Sequence, residues 1–540
     1  MDHLLDRRSV LRASGAATVG VVIGGAAVTA GATAANAAEP AFAHGVASGD
    51  PLPDAVLLWT RVTPTPESTP GSGRGPTVDV RWEIATDPAF GAVVGSGTAS
   101  TGPDRDHTVK VDATGLAPAT TYHYRFHLGG AVSAVGTTRT APAATAAVAR
   151  LRFGVVSCSN LPQGHFAAYR YLAERGDLDA VLHLGDYIYE GGGGGVRAHE
   201  PAHEILTLAD YRQRHAQYKT DEHLSRLHAT IPVIATWDDH EVANDAWSGG
   251  AENHQPDTEG DYAARKAAAH QAYFEWMPVR NEAGRLYRRL RFGLLAEVSM
   301  LDLRSYRSQQ VPPFDDGTDD PNRSITGAEQ MAWLQDGLVT SGAQWKLVGN
   351  SVMVAPVLVP PLPGDLLGPL LELLGLPRDG GVINPDQWDG YAADRRRLLD
   401  TLADNGVRDT VFLTGDIHSS WASDVPRSAA LYPLSPSVAV EFVATSVTSD
   451  NIDDIAGVPP RTVGPVIEGA LTTLNRHIKW VEVDSHGASV LEVTPAGAQM
   501  DWYFLATKAD PASALSYARS YRVRAGTQKV QRVGSPIGGA

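Results

Sequence analysis

The sequence predicts a mixed α/β protein in two parts, a small β-sandwich followed by a larger layered α/β domain. Three observations carry the prediction. Residues 41–140 hold short runs of period-two alternation punctuated by turns, the mark of half-buried strands. Residues 141–149 are rich in Ala, Pro and Thr and break the pattern as a linker. Beyond them apolar strand runs alternate with helical stretches, as in a layered α/β domain. That domain is expected over 150–520, with 521–540 as a C-terminal tail.

A leader precedes both parts. Arg7 and Arg8 stand before an Ala/Gly-rich apolar run, and Ala35, Asn36 and Ala37 offer a small-residue cleavage site. This is the layout of a signal peptide, expected over 1–38. The paired arginines with Leu11 behind them resemble a twin-arginine signal. The expected partner is then the twin-arginine export machinery, and the protein is expected to be secreted or cell-wall associated. The run is too weakly hydrophobic for an anchor, and no later segment has the ~18 uncharged apolar residues of a membrane span.

In the first part, residues 55–62, 78–84 and 107–111 read as strands. Tyr122 opens a further strand just after a corner containing Pro118. That placement resembles the tyrosine corner of Ig-like and fibronectin-type sandwiches. No catalytic constellation is visible there.

Bulk properties exclude several function classes. The 540 residues are 43% hydrophobic and 20% charged, ordinary for a globular protein. A formal net charge of -16 gives no global attraction to nucleic acid or anionic membranes. The single cysteine, Cys158, cannot form an intramolecular disulfide. By itself it reads as a small buried hydrophobe.

In the second part, helices are expected over 166–175, within 207–228, within 262–276 and over 392–405. The last places Arg395, Arg396 and Arg397 on an exposed face. Residues 357–377, rich in Leu and Pro, read as an extended loop and short helix, a lid or apolar surface. Five apolar runs, at 151–160, 180–190, 233–241, 345–351 and 411–419, end in polar or metal-ligand residues. Taken singly each end has a plain reading. A Gly-Asp after a strand is usually a turn, and His240 reads equally well as a structural histidine. Taken together, they are rigid buried strands opening into loops where donors converge. A cation removes the cost of burying those carboxylates. Gly185, Gly349 and Gly415, each just before a polar residue, are expected to let the chain turn sharply.

The order of these motifs resembles the calcineurin-like metallophosphoesterases and purple acid phosphatases, and more closely the alkaline phosphatase D (PhoD) family. The shared motifs are Ser157-Cys158, Gly185-Asp186-Tyr187-Ile188-Tyr189-Glu190, Trp237-Asp238-Asp239-His240-Glu241 with Asn244 and Asp245 behind, Gly349-Asn350-Ser351, and Gly415-Asp416-Ile417-His418-Ser419-Ser420. His44-Gly45-Val46-Ala47-Ser48-Gly49-Asp50-Pro51 is also typical of it.

The resemblance implies a calcineurin-like αββα sandwich as the catalytic domain, holding one Fe(III) and two Ca(II). Carried over, Cys158, Asp186, Tyr189 and His418 are the iron ligands, since soft thiolate and phenolate suit Fe(III). Asp186 bridges to calcium, and Asp239, Asn350 and Asp416 supply its oxygen donors. The implied chemistry is attack on phosphorus by a water whose pKa the cations lower. His240 protonates the leaving oxygen, and Asn160 orients the phosphate.

The function this implies is an exported metal-dependent alkaline phosphatase and phosphodiesterase acting on small phosphoesters. One alternative is a phospholipase D-type phosphodiesterase acting on phospholipids. The other, from a different class, is a non-catalytic calcium-binding adhesion protein.

Overall fold

A computed structural model describes residues 40–363 and 378–538. The leader expected over 1–38, and residues 364–377 of the Leu/Pro-rich stretch, lie outside these. No helix among the described residues is long and apolar enough to cross a membrane.

The mixed α/β prediction holds. Two sheets pack face to face. In the first, Leu151–Val156, Ala180–Leu184 and Val233–Thr236 run parallel and adjacent. In the second, Ala296–Met300, Trp345–Asn350, Thr410–Thr414 and Ser437–Val443 do the same. These strands read as continuous apolar runs because both faces are covered. Phe153, Val155, Leu182 and Leu184 of the first sheet meet Val298, Leu347, Val411 and Phe442 of the second in one core. Helices Ala167–Glu174, Leu208–Lys219, Glu222–Thr230 and Tyr262–Trp276 cover the outer face of the first sheet. Ala328–Thr340 and Ala392–Asp404 cover that of the second. The layering is α/β/β/α, and both parallel sets point their C-terminal ends to the same region.

The N-terminal strands form the expected sandwich around Val56, Leu58, Val80, Ile84, Tyr124 and Phe126. Tyr122 makes the corner, its hydroxyl accepting from the Ala117 N–H at 2.8 Å. One face of this sandwich is continuous with the first large sheet, because Gly49 pairs with Val233. At the opposite edge the sheet ends in Leu515–Arg524 and Val530–Val533. These strands run into the segment expected as a tail, 521–540.

Two local expectations change. The stretch 207–228 gives two helices, because Asp221 caps the second by accepting from the N–H groups of His223 and Leu224, both at 2.9 Å. Arg395 is buried rather than on an exposed face. It pairs with Asp389, while Arg396 pairs with Asp319 and Asp379. These carboxylates, all outside the helix, draw the guanidinium groups inward where helical period alone left them in solvent.

Beneath the first sheet lies a set of buried bases. Burial holds the His44, His183 and His215 imidazoles down at about 3 and that of His228 well below its usual value. All four are neutral in the fold. As pH falls below the ordinary value of 6.5, the unfolded chain binds protons that the folded chain refuses. Their contribution to stability is therefore expected to be full above 6.5 and to be lost progressively as pH falls toward about 3. Burial alone also holds the Lys219 ammonium well down, so its contribution grows into alkaline pH, while the buried Glu241 carboxyl, raised to about 8, acts in the opposite direction. Urea midpoints across this range check the slope. His215→Phe should flatten it, because neither ring nitrogen of His215 has a partner among the described residues. A slope between neutral pH and pH 4 that is unchanged in His215→Phe would contradict the account.

Candidate metal centre

The centre is assembled where the parallel strands of both sheets end. After Leu151–Val156, Cys158 turns into the left-handed region at φ 58°. Its N–H donates to the Gly185 carbonyl at 3.2 Å, and Ser159 N–H donates to that of Asp186 at 2.9 Å. After Ala180–Leu184, Gly185 stands at φ 109° and Asp186 at φ 55°. Only glycine fits at 185, since a Cβ there would lie 2.5 Å from that of Asp238. Gly415 has no positive φ and is needed for close packing instead, because its Cβ would lie 2.7 Å from that of Ser157. After Thr410–Thr414, Asp416 and His418 are again left-handed, at φ 61° and 52°. Strain of this kind persists where the surroundings over-determine the backbone and clusters at functional sites.

Glu241 ties two of these loops together. Its buried carboxylate accepts from the N–H groups of Asp186, Tyr187 and Asp238 at 3.1, 2.6 and 2.8 Å. Burial raises its carboxyl to about 8 against those donors. Ser449 ties in a further loop, donating to the Cys158 carbonyl at 2.9 Å.

The side chains converge. Ligand atoms of Cys158, Asp186 and His418 lie within 4.8 Å of one another, as do those of Asp186, Asp239 and His240, and those of Asp238, Asp239 and Asp416. Shared members make these groups one continuous centre. The Tyr189 hydroxyl donates to Asp186 Oδ2 at 2.9 Å and lies 3.5 Å from His418 Nε2. His418 Nδ1 faces the Asp450 carbonyl at 2.7 Å. That contact assigns the proton to Nδ1 and turns Nε2 toward the centre.

The residues fit a cation. Asp186 Oδ1 is buried with no hydrogen-bond partner among the described residues. Burial, reinforced by neighbouring carboxylates, pushes the Asp186 carboxyl well up. Burial and then the Asp186 charge push the Cys158 thiol up too. A bound cation reverses both effects.

His240 borders the centre with 18% of its side chain exposed. Its Nδ1 lies 2.7 Å from Glu190 Oε2, and its ring lies over that of Tyr189 at 4.1 Å between centroids. Burial alone would lower the imidazole, but Glu190, Asp239 and Asp186 outweigh it and push it well up. Asn160 is held by its backbone, its carbonyl accepting from the Thr448 hydroxyl at 2.7 Å. Its buried Oδ1 has no partner among the described residues. Asn350 is more committed. Its Oδ1 accepts from the Trp388 indole at 3.0 Å. Its Nδ2 donates to the Thr414 hydroxyl at 2.9 Å and to the Val352 carbonyl. Only its second oxygen lone pair remains for a cation.

Arg304 is the residue the sequence reading missed. It is buried and donates to Asp238 Oδ1 and Oδ2 at 2.6 and 3.0 Å. It also donates to Asp386 Oδ1 and Oδ2, both at 2.8 Å. A signal existed: Ala296–Met300 is a sixth parallel strand end, followed by Asp302 and Arg304.

Comparison with known proteins agrees with this geometry. A family model for the PhoD-like phosphatase matches residues 153–502, and one for the PhoD-like phosphatase N-terminal domain matches 26–142. Alkaline phosphatase D of Bacillus subtilis (strain 168) is 36% identical over 551 residues, covering 96% of this chain and 88% of the relative. A solved structure described as that of PhoD superposes with a TM-score of 0.81 at 35% identity, covering 94% of this chain and 95% of the other. Two sheets that bring a thiol, carboxylates and imidazoles to one strained set of loops, and a match along nearly the whole chain, lead to one conclusion: the chain belongs to the PhoD-like phosphatase family.

Proposed function

We propose that this chain is an exported phosphoester hydrolase whose reaction takes place at the centre around Asp186. The observation that carries the reading is the convergence of Cys158, Asp186, Asp239, Asp416 and His418 from separate strand ends, with Asp186 Oδ1 buried and without a hydrogen-bond partner among the described residues. Cys158, Tyr189, Asp186 and His418 would hold Fe(III), whose preference for thiolate and phenolate matches that donor set. Asp186, Asp239, Asp416 and the remaining lone pair of Asn350 would hold two Ca(II) through oxygen. When bound, these ions supply positive charge for the phosphoryl oxygens and lower the pKa of water.

The chain's own residues do the rest. Glu190 fixes the tautomer of His240, leaving Nε2 to hand a proton to the leaving oxygen. Asn160 orients the phosphate. The substrates are small phosphoesters, and the twin-arginine-like leader supports export by that route to the wall or medium. Leu358–Pro361 pairs antiparallel with Gly380–Val382, and among the described residues of the Leu/Pro-rich stretch nothing favours phospholipid over a soluble ester. Cys158, Tyr189 and His418 beside the acids count against a purely calcium-binding adhesion protein, which needs none of them.

Metal analysis and the visible spectrum of the folded enzyme test the assignment. Equimolar iron and a visible charge-transfer band are expected, with the band shifted in Cys158→Ser. A colourless, zinc-only enzyme active on p-nitrophenyl phosphate would overturn the iron ligands.

A further inference from the structure

Four carboxylates from three separate chain segments surround one guanidinium. Arg304 spends its Nε, Nη1 and Nη2 donors on two two-pronged pairings, with Asp238 and with Asp386. The same Nη2 lies 3.7 Å from Asp239 Oδ1 and 3.9 Å from Asp416 Oδ1, beyond hydrogen-bond reach. Both clamped residues adjoin residues of the centre. Asp238 precedes Asp239. Asp386 precedes Gln387, whose Nε2 donates to Asp416 Oδ2 at 2.6 Å. Arg307 backs this arm, donating to Asp386 Oδ1 at 2.5 Å.

We propose that Arg304 is a positioning residue that sets the gap between Asp239 and Asp416, and so the affinity of the oxygen-ligated half of the centre for a divalent cation. This rests on the metal-centre reading above. The planar fork matters as well as the charge. A guanidinium can hold two carboxylates edge-on at once, whereas an ammonium is a point charge that cannot. By neutralising Asp238, Arg304 also keeps that carboxylate out of the ligand set and leaves Asp239 and Asp416 for the ion.

The test is calorimetric titration of chelator-treated enzyme with calcium chloride, with near-UV circular dichroism as the check on folding. Two variants are compared with wild type. Arg304→Lys keeps the charge and loses the fork. The pair Asp238→Asn with Arg304→Gln removes both charges together, so Asp238 is not left as an unpaired anion, and it leaves Asp386 with Arg307. Each folded variant should bind calcium about tenfold more weakly or worse, the size found when partners of metal ligands are removed. The visible band assigned to Cys158 and Tyr189 should be unchanged.

Calcium binding as tight as wild type in either folded variant would overturn the proposal. So would tighter binding, because a guanidinium that merely plugged an acidic cluster would release a better cation site when removed. Wild-type enzyme that takes up no calcium would instead fail the metal-centre reading itself, and this inference with it.

Discussion

Asp186→Asn is expected to lower turnover roughly a hundred- to a thousandfold, or about 3–4 kcal/mol of transition-state stabilisation, while raising the stability of the cation-free protein. The two effects have one origin. Asp186 is 1% exposed, its Oδ1 has no partner among the described residues, and burial disfavours its charge. Without a cation that anion opposes folding, and asparagine removes it. Asparagine also tolerates the left-handed backbone at φ 55°, and it can still accept from the Tyr189 hydroxyl, as Asp186 Oδ2 does at 2.9 Å. With cations present the order reverses, because wild type gains binding energy that the variant lacks. Melting curves with chelator and with calcium and iron should therefore cross, the variant melting higher in the first and lower in the second. A variant that melted lower in both would make Asp186 a structural acid.

Much of this centre was legible in the chain, and for a physical reason. Buried parallel strands must be apolar on both faces, so the runs ending at Cys158, Asp186, Asp239, Asn350 and Asp416 stand out from half-exposed segments. Apart from Cys158, their donors are also residue types that are costly to bury without compensation. Arg304 escaped because it donates hydrogen bonds and ligates nothing. Its role depends on Asp238 and Asp386, which lie 66 and 82 residues away. Glu241 stood inside a motif, yet its three backbone donors come from two loops whose proximity no spacing records. Arg395 failed in the other direction. Helical period placed it in solvent, and tertiary pairing with Asp389 buried it.

The fold shows the same division. Alternation and the Tyr122 corner announced the sandwich, but nothing local announced that Gly49 would pair with Val233 and join it to the first large sheet. The loop strain was equally silent. Cys158, Asp186, Asp416 and His418 all carry positive φ, a conformation that non-glycine residues disfavour and that sequence propensity argues against. Where local preference and observed backbone disagree at several candidate ligands, the strain marks the loops as a candidate functional site.

His240→Asn separates acid catalysis from ligand support, because the size of its defect should depend on the alcohol that leaves. A leaving group that is already a weak base needs little help, while an alkoxide needs a proton in the transition state. The loss in kcat is expected to approach a hundredfold or more, on the order of general acid catalysis, for an alkyl phosphate ester, and to be slight for p-nitrophenyl phosphate. The geometry supports the role: Nδ1 is tied to Glu190 Oε2 at 2.7 Å, and 18% of the side chain is exposed to solvent. Glu190 is itself fixed, its Oε1 accepting from Asn244 N–H and Asn253 Nδ2, both at 2.8 Å. Glu190→Gln should thus give a weaker copy of the same leaving-group dependence, because it disturbs only the orientation and charge of the ring. Equal losses on both esters in His240→Asn would mean that the imidazole serves a cation or the phosphate instead, consistent with its place beside Asp186 and Asp239. The ratio of the two defects, and not the size of either, decides between those roles.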